Sequence, residues 1–335
     1  GTGTLTLSGE STYTGATIIL EGLLKAGADG SVFGLGPVAL LGGSVDLDGY
    51  DVRIGHLGLG GVTGSAVVMN LGSGQLTLDG NITYLADGNP DGATIIGTAL
   101  ECGLSLGGET RYFTVGDSTN AAVDLLLDVA VVDGVASAGI VKLGDGTMEL
   151  AGVNTFTGQV SINGGTLAIE SMANLGAAPY LNLGATLQVK GSAPITFDKS
   201  IQLTANGTFD ASNTGGVTIT RPISGAYGFT KTGASALTLA AANTFTGATT
   251  VGAGQLILAN PRALQFSTLN SSSDVVFSAA AGPAFTVGGL AGSTNMVLED
   301  DASGPVTLQV VGNGSTYTGV LPGAGGLKKL GQNST

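Results

Sequence analysis

Cysteine occurs once in the 335 residues, at Cys102, so no intrachain disulfide can brace the fold. Its apolar neighbourhood, Ala99-Leu100-Glu101-Cys102-Gly103-Leu104, points to a buried, inert thiol. Tryptophan is absent, and histidine occurs once, at His56. Proline numbers only nine and no Gly-X-Y period exists, which excludes a collagen triple helix. Cationic side chains are scarce: 11 Lys and Arg stand against 24 Asp and Glu, for a net charge of −13 and a pI near 4.2. That balance argues against nucleic acid or an anionic membrane surface as a partner, and an acidic surface could hold divalent cations weakly. The chain has no membrane-spanning run, no signal peptide and no initiator methionine. It opens and closes inside repeats and is therefore expected to be an excerpt from, or a processed part of, a longer polypeptide.

What is abundant is glycine, 59 residues, set among alternating apolar and polar residues. With 43% hydrophobic residues, such patterns argue against disorder and for many tight turns between short β segments. The organising stretch is Lys142 to Ile169, K-L-G-D-G-T-M-E-L-A-G-V-N-T-F-T-G-Q-V-S-I-N-G-G-T-L-A-I. Met148 and Leu150 alternate with Glu149, Val160 and Ile162 with Ser161, and Leu167 and Ile169 with Ala168. Period-2 alternation between glycine turns predicts three strands, each too short for a helix.

The block returns along the chain. Near the start it is Gly3 to Gly9 followed by Ser11-Thr12-Tyr13-Thr14-Gly15. Later it is Lys231 to Leu239, Asn243-Thr244-Phe245-Thr246-Gly247 and Gly254 to Leu258. A partial copy joins Ser315-Thr316-Tyr317-Thr318-Gly319 to Gly326-Leu327-Lys328-Lys329-Leu330-Gly331, and a half copy lies at Gly74 to Gly80. Recurrence at long, irregular spacing marks a solenoid with insertions.

The residues S/N-T-Y/F-T-G, with K-x-G-x-G-T-L-x-L before them and G-G-x-L-x-I after, resemble the autotransporter-associated β-strand repeat. That repeat occurs in passenger regions of type V secreted proteins and other very large bacterial surface proteins. The resemblance implies an all-β, right-handed parallel β-helix (β-solenoid) outside the cell, at the bacterial surface or secreted. It says little about activity, because the family uses the repeat as scaffold. A solenoid core grows along one axis, so residues 1–335 are expected to form a single continuous β-helix. At roughly 22 residues per rung and ~4.8 Å per strand, about 15 rungs would make a rod on the order of 70 Å long.

Leu57 to Ala138 departs most from the pattern, and 57–138 is expected to hold extra, less regular rungs within the same body. Val123 to Asp133 reads as one strand, with Val123, Leu125, Leu127, Val129 and Val131 on one face and Asp124 and Asp128 on the other. A short loop with room for one helical turn follows the third strand of each copy, as in Glu170 to Gly176. Leu5, Leu7, Met148, Leu150, Leu167, Ile169, Leu237, Leu239, Leu256 and Leu258 are expected to point into the core.

Candidate chemistry is thin. Parallel β-helices include polysaccharide lyases and hydrolases, whose sites need clustered carboxylates or a base on one face. His56 has no carboxylate near it in sequence and reads as structural. Glu299-Asp300-Asp301 is the one acidic run and reads as a solvated turn. Asp87-Gly88-Asn89-Pro90-Asp91-Gly92 has the D-x-N-x-D-G form of a calcium loop, which makes Asp87, Asn89 and Asp91 the candidate metal ligands and calcium the one candidate cofactor. Thr98 stands where such a loop would place a bidentate Glu, and Asn-Pro and Asp-Gly are ordinary turn formers. Tyr13, Phe156, Phe245 and Tyr317 are expected to be corner plugs rather than a sugar-stacking ladder. N-x-S/T triplets at Asn81, Asn206, Asn270, Asn313 and Asn333 are expected by chance in so Ser/Thr/Asn-rich a chain.

Three functions follow. The first is a non-catalytic extracellular rod segment of a large surface or secreted fibre. The second is an adhesin passenger binding glycans or surface proteins through loops on one face. The third, and least supported, is a β-helical polysaccharide lyase or hydrolase. Joined tail to head, Gly326 to Thr335 and Gly3 to Gly9 restore the order seen at Lys142 to Gly152. The chain is therefore expected to meet itself head to tail, as a covalent tandem repeat or as a filament of identical units, or to adjoin further repeats of one polypeptide.

Overall fold

In the computed structural model, the described residues are 1–61, 67–89, 91–97, 103–312 and 314–331. Cys102, Thr98, Pro90, Asn313 and Asn333 lie outside them. Short strands and turns make up nearly all of the described chain. The only helical segments among the described residues are two 3-10 turns, Met172–Leu175 and Ala279–Ala281. The first of them lies in the loop after Ile169, where the sequence leaves room for it. No helix among the described residues is long and apolar enough to cross a membrane.

The chain divides into two compact units, Gly1–Pro179 and Tyr180–Thr335. Each is a parallel β-solenoid. In the first unit one wall stacks eight strands, Thr4–Leu7, Leu23–Ala26, Ser44–Asp46, Val67–Asn70, Ala93–Ile96, Leu125–Asp128, Thr147–Leu150 and Thr166–Ile169. A second wall stacks seven, beginning at Thr17–Ile19 and ending with Arg111–Val115, Ile140–Leu143 and Val160–Ile162. The third has four, Val52–Ile54, Leu76–Leu78, Gly103–Ser105 and Ala130–Val132.

In-register stacking turns the alternation of each strand into continuous columns. Leu24, Val45, Met69, Ile95, Leu127, Leu150 and Ile169 follow one another across the first wall, and all are buried. Each such side chain contributes about 1.5–3 kcal/mol of transfer free energy. Loops absorb the irregular repeat length: Ile95 faces Leu127, 32 residues on, whereas Leu150 faces Ile169 after 19.

In the second unit one wall runs from Thr186–Val189 through Gly207–Ala211, Phe229–Thr232, Thr249–Val251, Leu264–Ser271, Ala284–Gly292 and Thr307–Val310 to Gly326–Lys329. Another stacks Ile195–Phe197, Val217–Ile219, Ala236–Leu239, Gln255–Leu258 and Asp274–Phe277. Their inner faces bury Phe197, Ile219, Leu239, Leu258 and Phe277 in register. Phe197, Phe209, Phe229 and Phe245 form a chain of ring contacts with centroids 5.8, 6.4 and 6.0 Å apart.

Eight of the ten residues expected in the core are buried there. Leu5 is not: it is 59% exposed, because its strand, Thr4–Leu7, pairs on one side only, with Leu23–Ala26. Leu7, on the same strand, is half-buried. A second correction concerns Val123 to Asp133. The chain turns a corner at Val129, so Leu125–Asp128 belongs to the first wall and Ala130–Val132 to the third. Alternation continues across the bend, which hides it in the sequence. Asp124 is not on an outer face either; it is 1% exposed. Gly326–Lys329, in the last partial copy, is itself a strand, paired with Thr307–Val310.

Candidate functional site

The repeat concentrates its polar chemistry at two inward positions. The first is the lysine of K-x-G. Lys142 takes an inner position between Phe113 and Ile162 on the second wall of its unit, and Lys231 one between Phe209 and Val251. Both are fully buried. The glycine two residues on, Gly144 or Gly233, has φ of +76° or +77°, a conformation that glycine adopts without steric cost. The turn it makes directs carbonyls inward, and the ammonium collects them. Lys142 Nζ donates to the carbonyls of Leu143 (2.9 Å), Gly144 (2.9 Å) and Gly164 (3.1 Å). Lys231 Nζ donates to Thr232 (2.7 Å), Gly233 (2.7 Å) and Ala253 (3.0 Å). Two of the three acceptors lie on the lysine's own turn and the third on the next rung, 22 residues away. Burial pulls both ammonium groups down to about 8.

The second position is the first residue of N-T-F-T-G. Asn154 Oδ1 accepts from the Val131 N–H at 2.7 Å, and Asn243 Oδ1 from the Ile223 N–H at 2.8 Å. On the far side each amide donates to the following rung, Asn154 to the Asn174 carbonyl (2.5 Å) and Asn243 to the Ala263 carbonyl (2.9 Å). The asparagine thus carries the ladder through a corner that has no strand, as Asx side chains can because they imitate peptide groups. Ser315 Oγ takes the accepting role from Leu290 N at 3.0 Å. The aromatic of the motif fills the same corner. Phe156 and Phe245 are buried, as expected of plugs, but Tyr13 is 43% exposed and Tyr317 half-buried. The two tyrosines reach polar partners instead: Tyr13 Oη pairs with Thr17 Oγ1 at 2.7 Å, and Tyr317 Oη donates to the Thr294 carbonyl at 2.5 Å.

Other buried charges follow the same rule. Arg111 donates from Nε to the Leu106 carbonyl, from Nη2 to that of Leu78 and from Nη1 to that of Asp79. Asp124 accepts from the Ser118 N–H and hydroxyl and from the Thr147 N–H. At half-buried Asp133 desolvation works to raise the carboxyl, but the N–H groups of Thr157 and Ala138 and the Thr157 hydroxyl hold it below its ordinary value.

The residues singled out from sequence do not converge. His56 is half-buried, and burial lowers its imidazole below the usual value. Glu299, Asp300 and Asp301 each accept from turn N–H groups: Glu299 from Ala324, Asp300 from Ala302 and Gly304, and Asp301 from Ala279. Of the loop residues, Asp87 and Asp91 are exposed while Asn89 is buried. The Asn89 amide donates to the Gly92 carbonyl at 3.3 Å, and its Oδ1 accepts no hydrogen bond among the described residues. Asp91 Oδ1 accepts from Asn120 at 3.4 Å. Among the described residues no group of three or more His, Cys, Asp or Glu side chains is placed to hold a metal ion. The lysine cages were not foreseen. The K-x-G triplet is their one mark in the sequence and does not suffice to predict them, since Lys25 heads one too, is half-buried and pairs with Asp48 instead.

Comparison with known proteins matches this architecture. The profile of the passenger-associated-transport repeat matches residues 1–26, 140–169 and 229–258. The adhesin BmaC autotransporter of Brucella suis biovar 1 (strain 1330) is 31% identical over 261 residues, 73% of this chain. The chain spans 6% of that adhesin's length. No solved structure matches the chain significantly. With three copies of the repeat laid onto parallel β-solenoid rungs, the chain belongs to the autotransporter passenger repeat proteins.

Proposed function

We propose that this chain is a β-helical scaffold segment of a bacterial surface or secreted passenger of adhesin type, and that it carries no catalytic centre. The observation behind this reading is where its buried charges point. Lys142, Lys231, Arg111 and Asp124 all bind turn backbone inside the solenoid, so the groups that an enzyme would aim at substrate here hold rungs in register. The repeat family and the similarity to an adhesin autotransporter support a place at the cell surface or outside it. The test is incubation of the purified chain with acidic and neutral polysaccharides, followed by measurement of new chain ends. No turnover is expected. Turnover abolished by a single carboxylate substitution would overturn the reading.

A further inference from the structure

We propose that the second unit binds an extended, uronate-bearing polysaccharide across two separate hollows, with Tyr227 and Phe266 as the stacking platforms and Arg262 receiving a carboxylate. The assignment rests on the reading of the chain as part of an adhesin-type passenger. Charge is the first observation. Residues 1–179 hold four Lys and Arg against 18 Asp and Glu, whereas residues 180–335 hold seven against six. The net negative charge of the chain therefore belongs to the first unit, and an anionic ligand meets no net repulsion on the second.

Geometry is the second. Phe229 pairs with Thr249 and Thr249 with Leu269, so Tyr227, Gly247 and Ser267 occupy one corner on three successive rungs. The strand Leu264–Ser271 slips register between Leu264 and Thr268, and such irregularities re-aim side chains. Ser267 turns inward, fully buried, with its hydroxyl on the Gly247 carbonyl at 2.7 Å, while Phe266 turns outward and is 49% exposed. Tyr227 is 47% exposed. Two rung spacings put the backbone positions of these aromatics about 10 Å apart along the solenoid axis. Between them stands Gly247, where a Cβ would run into the Tyr227 backbone. That interval is close to one disaccharide of an extended β-linked chain, so alternate sugar rings could each lie on an aromatic face.

Polar groups flank both platforms. A hollow of about 280 Å³ at Tyr227 is lined by Asn206, Thr230, Gly247 and Thr250. One of about 380 Å³ at Phe266 is lined by Arg262, Gln265, Thr286 and Gln309. Volumes near the lower end of the ligand-site range suit one or two sugar rings each. Gln265 donates to the Asn243 carbonyl at 3.1 Å, which leaves its Oδ-equivalent oxygen, Oε1, open to a hydroxyl. Gln309 accepts from Thr286 through Oε1 at 3.5 Å, which leaves its amide N–H groups open. Among the described residues the Arg262 guanidinium makes no ion pair, so its planar fork is available for a bidentate carboxylate.

The probes are hyaluronan oligosaccharides, a uronate source from animal matrix, and β-linked mannuronate oligosaccharides, a bacterial one, with cello-oligosaccharides as neutral controls. Binding to the full chain is followed by titration calorimetry at low and physiological salt. At least one uronate series should bind, more weakly as salt rises, and which series binds identifies the source. Arg262→Gln, Tyr227→Ala and Phe266→Ala should each weaken binding about tenfold. All three side chains are exposed, so unchanged circular dichroism and melting midpoints should accompany the loss. Absence of binding by both uronate series, equal binding of the neutral oligomers, or affinities untouched by the three substitutions would overturn the proposal. Cleavage of the oligosaccharides in the same mixtures would count against the scaffold reading alone, whatever the affinity.

Discussion

Replacing both caged lysines by methionine, Lys142→Met with Lys231→Met, sets two large effects against each other. Methionine fills a similar apolar volume but donates nothing. Gly144 and Gly164 around one cage, and Gly233 and Ala253 around the other, lose the donor found for their carbonyls. Each unsatisfied carbonyl costs about 1–3 kcal/mol. Against this, the substitution relieves the desolvation that lowers each ammonium from 10.5 to about 8. At 1.36 kcal/mol per pKa unit, that relief is about 3 kcal/mol per lysine at neutral pH. The two effects nearly cancel at pH 7, so the variant should lie within a few kcal/mol of the parent there. They separate as the pH rises. Between about 8 and 10.5 the unfolded lysine holds a proton that the folded one has released, so the parent gains stability with pH. Between pH 7 and 10 the gain should reach about 2–3 kcal/mol per lysine relative to the variant. Urea denaturation followed by circular dichroism measures this, since the chain has no tryptophan. A parent-minus-variant difference that stays flat or falls with pH would refute the cage as a site of desolvated charge.

Asn154→Leu keeps volume but leaves the Val131 N–H without its acceptor, and should cost about 1–3 kcal/mol, read as faster hydrogen exchange at Val131. Phe245→Ala should destabilise by about 3–5 kcal/mol, because it empties a buried corner. Tyr13→Ala, at a 43% exposed position, should cost less than about 1 kcal/mol, and thermal unfolding of the two variants should separate them clearly. Calcium titrated into the chain should leave the melting midpoint unmoved, since Asn89 is buried apart from the exposed Asp87 and Asp91. A calcium-dependent rise lost in Asp87→Asn would place the ion in that loop.

Alternation and glycine spacing were enough to read strands, turns and solenoid from the sequence, because the side-chain period of two and the positive φ of turn glycines are local properties of the chain. The copies at 142–169 and 231–258 lie where the sequence puts them, with Met148, Leu150, Leu237 and Leu239 inward. Corner placement was not legible at Val129, since a bend between two walls preserves the alternation on either side of it. Nor was the fate of the charges. Nothing local separates Lys142 and Lys231 from Lys25, which also heads a K-x-G and pairs with Asp48, until the neighbouring rung brings Gly164 or Ala253 within 3.1 Å. Asp124 reads as an outer-face residue until Thr147, 23 residues on, supplies an N–H. The exposure of Phe266 likewise depends on a register slip against the strand that follows. Local pattern determined that this chain would coil into rungs. Which polar groups became internal braces, and which aromatics stayed outside, was decided only when rungs some twenty residues apart in sequence came to rest one strand spacing apart, where a hydrogen bond can form.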